Sequence, residues 1–176
     1  KEKDYTGEPY NIILHSNNGS DTTQEVAAEF GVNKTLPKNT FTKDHYDFKG
    51  WSSFPSNHNV IYVHEDVVKV NHPEVIGGNT LNLYAVWDIQ KYTVEFINGN
   101  ETITQTIEYG STVQLPEATN KVGYTFTGWY TESGQQWQEE TIVDQNTKLY
   151  AKYEPITYSI EFDGNGADNG NAMDSS

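Results

Sequence analysis

Short runs of alternating apolar and polar residues recur along the chain, and they predict β-strands rather than helices. The first run covers residues 10–15, and a similar run starts at Tyr92. Successive side chains of a strand point to opposite faces, so such alternation buries one face of a sheet. An Asn-Gly pair follows each run, and this pair favours a hairpin turn. We therefore predict a mainly β protein with little or no helix.

Residues 21–30 fit either a capped helix or a second strand. Asp21 and the residues after it are typical of a helix start, and an apolar stretch continues to Phe30. The corresponding segment further along, residues 102–110, is rich in Thr and Ile, which favour strands. Both segments end in an aromatic residue followed by Gly. We therefore predict a strand in each.

The clearest repeat in the chain is a pair of aromatic residues, two positions apart, followed by Gly-Trp. Residues 45–51 read HYDFKGW, and residues 123–130 read GYTFTGWY. The paired aromatics share one strand face, so we expect them to be buried with the Trp. The Gly before each Trp predicts a β-bulge or a close backbone approach. The predicted structural core of the motif is therefore Tyr46, Phe48, Trp51, Tyr124, Phe126 and Trp129.

The repeat also predicts how the chain is divided into modules. The second unit runs from Tyr92 to Tyr158, where a third copy begins, and 33 residues separate Trp51 from Tyr84 whereas 21 separate Trp129 from Tyr150. The first copy thus has an insertion of 33 − 21 = 12 residues. We predict a linker (1–9), a first module (10–89) with its insertion at about 52–78, a second module (90–154), and the opening strand and turn of a truncated third repeat (155–176).

Two local predictions accompany this division. Inside the insertion, residues 60–63 and 67–70 have the composition of short strands. At the other end, residues 163–176 belong to a third copy without its partner strands. A lone hairpin is marginal in water, so we predict that this segment is mobile.

The order of these motifs resembles the Listeria–Bacteroides repeat, which is related to the B repeats of internalin-type surface proteins. The first copy departs from the pattern, because His45 replaces Gly and Ser52 replaces the final Tyr. The resemblance implies small β-grasp-like modules, arranged in tandem in secreted or wall-attached bacterial proteins. It further implies a stalk, spacer or adhesive role without catalysis, an extracellular location, and core rather than binding roles for the motif aromatics.

Composition narrows the classes of partner. The chain has 25 acidic and 11 basic residues and a formal charge of −14, which disfavours nucleic acid and anionic membrane surfaces. It has no Cys, so it forms no disulfide and no zinc–thiolate site. No apolar run reaches the roughly 18 residues that indicate a membrane span, and we predict no direct membrane insertion.

Candidate chemical motifs in the chain are incomplete. His64-Glu65 would begin a zinc-protease helix only if a second His stood at the position of Val68. The Asn- and Gly-rich run from Asp163 resembles a calcium loop, but Asp168 and Asp174 stand where an EF-hand needs Gly and Glu. We therefore predict no catalytic residue, no cofactor and no metal.

Three classes of function remain open from the sequence. The leading hypothesis is a non-catalytic spacer that also adheres to a host or matrix protein or a glycan, with neighbouring modules as further partners. The alternative is a carbohydrate-binding module of a secreted glycan-degrading enzyme. Trp51, Trp87 and Trp129 recur at motif positions, which favours packing over a sugar platform. Trp137 is the Trp most expected to be partly exposed, although a core position is favoured for it too. An enzyme within the insertion has no supporting residues.

If the first module binds a partner, we expect the contact in the insertion, because loops distinguish one repeat from another. The candidate contact residues are Tyr62, His64, Glu65 and Asp66. The competing interpretation is that the insertion is only a longer hairpin.

Overall fold

The computed structural model describes residues 3–20 and 22–161, and β-strands make up nearly all of its regular structure. One short 3-10 helix, Pro73–Ile76, lies in the insertion. This confirms the prediction of a mainly β chain. The strands are β1 (Pro9–His15), β2 (Thr23–Glu29), β3 (Lys34–Thr35), β4 (Tyr46–Ser52), β5 (Val67–Val68), β6 (Thr80–Ile89), β7 (Lys91–Asn98), β8 (Glu101–Glu108), β9 (Tyr124–Tyr130) and β10 (Thr147–Pro155).

Two four-stranded sheets with the same plan contain the main strands. The first sheet has the order β2-β1-β6-β4, and the second has the order β8-β7-β10-β9. In each sheet the two central strands are parallel, and each pairs with an antiparallel edge strand. We call residues 9–89 module 1 and residues 91–155 module 2. This arrangement agrees with the expected sheet-dominated, β-grasp-like repeats, and residues 23–29 form a strand as predicted.

The Gly before each motif Trp lies at a β-bulge, as the sequence predicts. The pairing of β4 with β6 shifts between Phe48 and Gly50, and the pairing of β9 with β10 shifts at the matching place. Gly50 has a φ of +149° and Gly128 a φ of +134°, which are conformations that residues with a Cβ rarely adopt. A Cβ on Gly50 would lie 2.5 Å from the Tyr62 carbonyl oxygen. Glycine is therefore needed for both backbone shape and space.

Each module has its own hydrophobic core behind its sheet. Trp51 lies at the centre of the first core and Trp129 at the centre of the second, and both are buried. Phe48 and Phe126 are half-buried and pack edge-on against these indoles, with ring centroids 5.0 and 5.6 Å apart. Two separate cores mean that each module has its own source of hydrophobic stability.

Tyr124 differs from the expectation that it is buried, because 39% of its surface is exposed. It is the first residue of β9, so its ring lies at the end of the sheet, beyond the core. The ammonium of Lys121 lies 4.2 Å from the ring centroid, and Lys43 is placed over Tyr46 at the same distance. In both copies the first motif aromatic thus packs under a lysine at the surface.

Two predicted boundaries are corrected. Residues 3–8, predicted as a linker, dock onto module 1, because the Gly7 amide donates to the Phe30 carbonyl and Tyr5 packs against the core. Residues 158–161 are not in a strand, and Tyr158 is 80% exposed. A strand needs a partner for its backbone groups, and none is supplied there by the described residues. The predicted mobile segment, 163–176, lies outside the described residues.

Candidate functional site

The 12-residue insertion of module 1 is split between two loops. The Gly31 amide donates to the Val70 carbonyl, and the Gly110 amide donates to the Val143 carbonyl, so Val70 and Val143 are equivalent. From Trp51 to Val70 the chain advances 19 residues, against 14 from Trp129 to Val143. Five extra residues therefore precede Val70, and the other seven follow it. The predicted short strands are reduced to β5 and a single bridge between Trp51 and Tyr62.

Tyr62 has a structural position rather than a free surface position. Its carbonyl accepts a hydrogen bond of 2.7 Å from the Trp51 amide, and its half-buried ring packs against the core of module 1. The backbone around Tyr62 thus covers the outer edge of β4 beside the Gly50 bulge. The backbone of this tyrosine thus extends the sheet, and its ring remains a predicted contact only through its exposed part.

The other three candidate contact residues, His64, Glu65 and Asp66, belong to one tight turn. The Asp66 carboxylate accepts from the Val63 amide at 2.7 Å, and Glu65 has a φ of +58°. The Asp66 carbonyl accepts from the Leu36 amide at 2.8 Å. His64 lies on Phe48, with ring centroids 4.7 Å apart, and its Nδ1 accepts from the Asn39 amide. Turn formation accounts for Asp66 and His64, and the exposed Glu65 completes the turn.

What the insertion exposes instead is apolar surface. Large exposed apolar side chains are concentrated between residues 52 and 78, and isolated ones elsewhere need no explanation. Val60, Ile61 and Val63 are 39, 46 and 48% exposed beside the β4 edge. Concentrated exposure of this kind is typical of interaction surfaces. The exposed insertion residues are Phe54, Val60, Ile61, Val63, Val67 and Val75.

A groove of about 780 Å³ lies between the insertion and the end of β8 in module 2. Val60, Val63 and His58 of the insertion line one side, and Glu108 of module 2 lines another. The lining also includes an ion pair, in which the Lys49 ammonium lies 3.2 Å from the Asp88 carboxylate. Because residues of both modules form its walls, the groove depends on how the modules are joined.

The joint between the modules consists of one residue, Gln90. Its amide donates to the His45 carbonyl at 2.9 Å, and its carbonyl accepts from the Tyr109 amide at 2.8 Å. Its side-chain amide donates to the Asp47 carboxylate, and its side-chain oxygen accepts from the Tyr92 hydroxyl. Gln90 thus bonds to both modules through backbone and side chain.

The His45 imidazole stacks on the Tyr109 ring across this joint. Their centroids are 3.5 Å apart and their planes differ by 8°. From the sequence, His45 is only a departure from the motif Gly, and no local pattern predicts this contact. The available signal was that a residue with a side chain stands at a motif position that is Gly in the second copy.

The Trp side chains do not form an exposed row. Trp51 and Trp129 are buried, and Trp87 and Trp137 are half-buried. The Trp129 indole donates to the Pro116 carbonyl, and the Trp87 indole donates to the Ser16 carbonyl. Trp137, the Trp most expected to be partly exposed, is half-buried like Trp87, and its indole nitrogen is buried. A stacking platform for sugars would need open indole faces.

Two further results concern metals and membranes. Within residues 3–20 and 22–161, no three His, Cys, Asp or Glu side chains are grouped so that they could hold a metal ion. Among the same residues, no helix has the length and apolar character needed to cross a membrane.

Comparison with known proteins agrees with the repeated plan. The family described as Listeria-Bacteroides repeat domain matches residues 10–86 and 92–152. A putative membrane protein of Evansella cellulosilytica is 33% identical over 93% of this chain, which covers 24% of that protein. A putative Gly-rich membrane protein of the same bacterium is 32% identical over 82% of the chain, covering 16% of its length.

A third relative comes from a different bacterium. Internalin H of Listeria monocytogenes is 28% identical over 83% of the chain. The chain spans 28% of that protein, and thus less than a third of each of these three relatives.

Proposed function

The chain belongs to the Listeria-Bacteroides repeat domain family, and from that premise we propose that it is a non-catalytic spacer region of a bacterial surface protein. Two of the relatives are named as membrane proteins and the third is an internalin. Their names support a location at the outside of the cell. The proposal concerns this region, since the relatives are several times longer.

The observation that carries the proposal is the position of the strands through which the chain enters and leaves each module. In module 1, β1 enters and β6 leaves, and the two are parallel hydrogen-bonded neighbours. In module 2, β7 and β10 have the same relation. A pull on the two ends therefore slides these strands along each other and loads several hydrogen bonds at once. Such a module resists stretching, which suits a spacer between a cell and its surroundings.

Labelling of intact cells tests the location and the role. Antibodies against this chain should label unpermeabilised cells of the source bacterium, and external protease should remove the label. Deleting residues 91–155 from the parent protein should reduce antibody access to an epitope placed beyond the repeats. Replacement of the same residues by a second copy of module 1, residues 9–89, is the matched control and should preserve access, because the number of modules stays the same. A label found only after permeabilisation would contradict the proposal, and unchanged access after the deletion would contradict the spacer role.

A second candidate function, adhesion through the insertion, is favoured by the exposed apolar residues Val60, Ile61 and Val63. These side chains lie beside the inter-module groove. They suit a protein partner, because burying exposed apolar side chains in an interface stabilises it. The acidic chain favours a partner with basic residues around its own apolar patch. The alternative, a carbohydrate-binding module, lacks an exposed row of Trp to support it.

Adhesion can be tested on an array of host matrix proteins and a glycan array. The triple variant Val60→Thr, Ile61→Thr, Val63→Thr keeps the β-branched shape, and we expect roughly tenfold weaker binding or more, as for central interface residues. The control changes three exposed apolar residues of module 2, Ile103, Val122 and Ile142, to Thr. Equal binding by both variants, or binding to glycans alone, would contradict a protein contact at the insertion.

A further inference from the structure

The joint between the modules combines a very short connection with contacts on both sides of it. Only Gln90 separates the last residue of β6 from the first residue of β7. Its four hydrogen bonds are divided between His45 and Asp47 of module 1 and Tyr92 and Tyr109 of module 2. Domains connected in one chain move relative to one another by default unless contacts hold them. Here contacts are present on each side of the connecting residue.

His45 has the backbone conformation of a glycine and the side chain of a contact residue. Its φ is +63°, and Gly123, its counterpart in module 2, has a φ of +78°. A residue with a Cβ is strained in this region, and such strain persists where surrounding contacts compensate for it. The contact that glycine lacks is the stack of the imidazole on Tyr109. The departure from the motif therefore coincides with the contact between modules.

The equivalent backbone hydrogen bond recurs at the other end of module 2 without a stack. The Ile156 amide donates to the Gly123 carbonyl at 2.8 Å, as the Gln90 amide does to the His45 carbonyl. Gly123 has no side chain that could cover an aromatic ring. At the start of module 1, the ring that corresponds to Tyr109 is Phe30, and Tyr5 covers it edge-on at 6.3 Å. In both modules an aromatic from the preceding segment thus lies on this ring.

We infer that the His45–Tyr109 stack, together with Gln90, fixes the angle between the two modules and makes this part of the chain a rigid joint. This goes beyond a spacer role, because a spacer can also be flexible. The backbone hydrogen bonds of Gln90 set the distance between the modules. The stack opposes rotation about the connecting residue.

Residual dipolar couplings and relaxation of the full chain test the inference. In the wild-type chain, couplings from both modules should fit one alignment tensor. His45→Gly and His45→Asn keep a residue that tolerates the left-handed backbone but remove the ring. In both variants we expect two different tensors and a shorter rotational correlation time for each module than in the wild type, as for independently moving domains.

Two further variants separate the joint from the stability of module 1. His45→Phe retains an aromatic ring and should retain a single tensor. His15→Asn removes a ring that stacks on Tyr84 at 4.4 Å within module 1, and it should leave the tensor unchanged. Hydrogen exchange in module 1 should not accelerate in His45→Gly, because Gly relieves the strained backbone. Two tensors in the wild type, or one tensor in His45→Gly, would overturn the inference.

Discussion

Module 1 and module 2 share one sheet plan but differ in how much apolar surface lies behind it. The core of module 1 contains eleven buried apolar residues, and that of module 2 contains six. Two of these eleven residues, Val68 and Val70, lie in the segment between Trp51 and β6. Half-buried apolar side chains pack against both cores, so they do not remove this difference. The comparison teaches that one strand order tolerates cores of different size.

The modules also differ in how their buried polar groups are satisfied. In module 2, the Trp129 indole donates to Pro116 and the Tyr92 hydroxyl donates to Gln90. Their counterparts in module 1, the Trp51 indole nitrogen and the Tyr10 hydroxyl, are buried with no hydrogen-bond partner among the described residues. Burial of an unpaired donor is costly. Module 2 has one such group among its described residues, the Trp137 indole nitrogen, against two in module 1. Module 1 therefore combines a larger core with less complete hydrogen bonding.

The largest expected effect comes from removing either central indole. Trp51→Ala and Trp129→Ala should each lower the free energy of unfolding of their own module by about 3–5 kcal/mol, the usual range for deleting a buried aromatic side chain. Because each module has a separate core, hydrogen exchange should accelerate mainly in the mutated module. A loss below about 1 kcal/mol in either variant, with cooperative unfolding retained, would contradict the assigned cores.

The two bulge glycines provide the next comparison. A Cβ on Gly50 meets the backbone of Tyr62, whereas a Cβ on Gly128 meets the Gln136 side-chain amide at 2.6 Å. A side chain can move aside more easily than a backbone. Gly50→Ala should therefore cost about 2–4 kcal/mol and Gly128→Ala about 1–2 kcal/mol, both including the strain of a positive φ. Thermal unfolding followed by module-specific NMR signals measures both. Equal losses would show that the Tyr62 backbone adapts.

A smaller difference in the free energy of unfolding is expected between the variants that remove each of the two indole nitrogens. Trp129→Phe breaks a hydrogen bond and leaves the Pro116 carbonyl without this donor, whereas Trp51→Phe removes a nitrogen that has no partner among the described residues. Since the ring volume lost is the same, Trp129→Phe should cost about 1–2 kcal/mol more than Trp51→Phe. Denaturant titration of the two variants, read from signals of each module, gives the difference. A greater loss in Trp51→Phe would mean that its indole is paired in solution.

The smallest expected effect is a pH dependence of the stability of module 1. Burial raises the pKa of the Tyr10 hydroxyl, and the nearby Tyr62 hydroxyl raises it further, while the Val70 backbone lowers it slightly without reaching hydrogen-bond geometry. The pKa is thus higher in the folded chain than in the unfolded one. The stability that the neutral Tyr10 hydroxyl contributes to module 1 is fully present below pH 10, and it falls as the pH rises above that value.

The control for this prediction is Tyr10→Phe, which has no hydroxyl to ionise. It should weaken the alkaline loss of stability in module 1, as followed by chemical denaturation at increasing pH. A parallel decline in the variant and the wild type would assign the effect to other groups.

The strands and the central Trp residues were predictable from sequence because they depend on local alternation and on a repeated motif. Trp51 and Trp129 recur at one motif position, and a recurring aromatic in a strand is usually packed. The bulges at Gly50 and Gly128 were predictable for a similar reason, since Gly before a large residue is a local signal.

The features that could not be predicted from sequence depend on contacts between distant residues. The backbone bond between Tyr62 and Trp51 crosses a loop whose path the sequence does not define, and the role of Tyr62 in binding a partner stays a prediction. Tyr124 was expected in the core, but the end of the sheet leaves it under Lys121. His45 meets Tyr109 only because Gln90 brings the two modules together. Alternation predicts which face a residue occupies, and it does not predict where the neighbouring element ends.

The central claim is that the chain consists of two separately packed modules joined in series. Stretching single molecules between their two ends is the direct test of it. The account predicts two unfolding events of unequal length. Module 1 should release about 16 residues more than module 2, which corresponds to about 5 nm of extended chain. The joint variant His45→Gly should leave both events in place. A single event that releases the whole chain at once, or two events of equal length, would contradict the account.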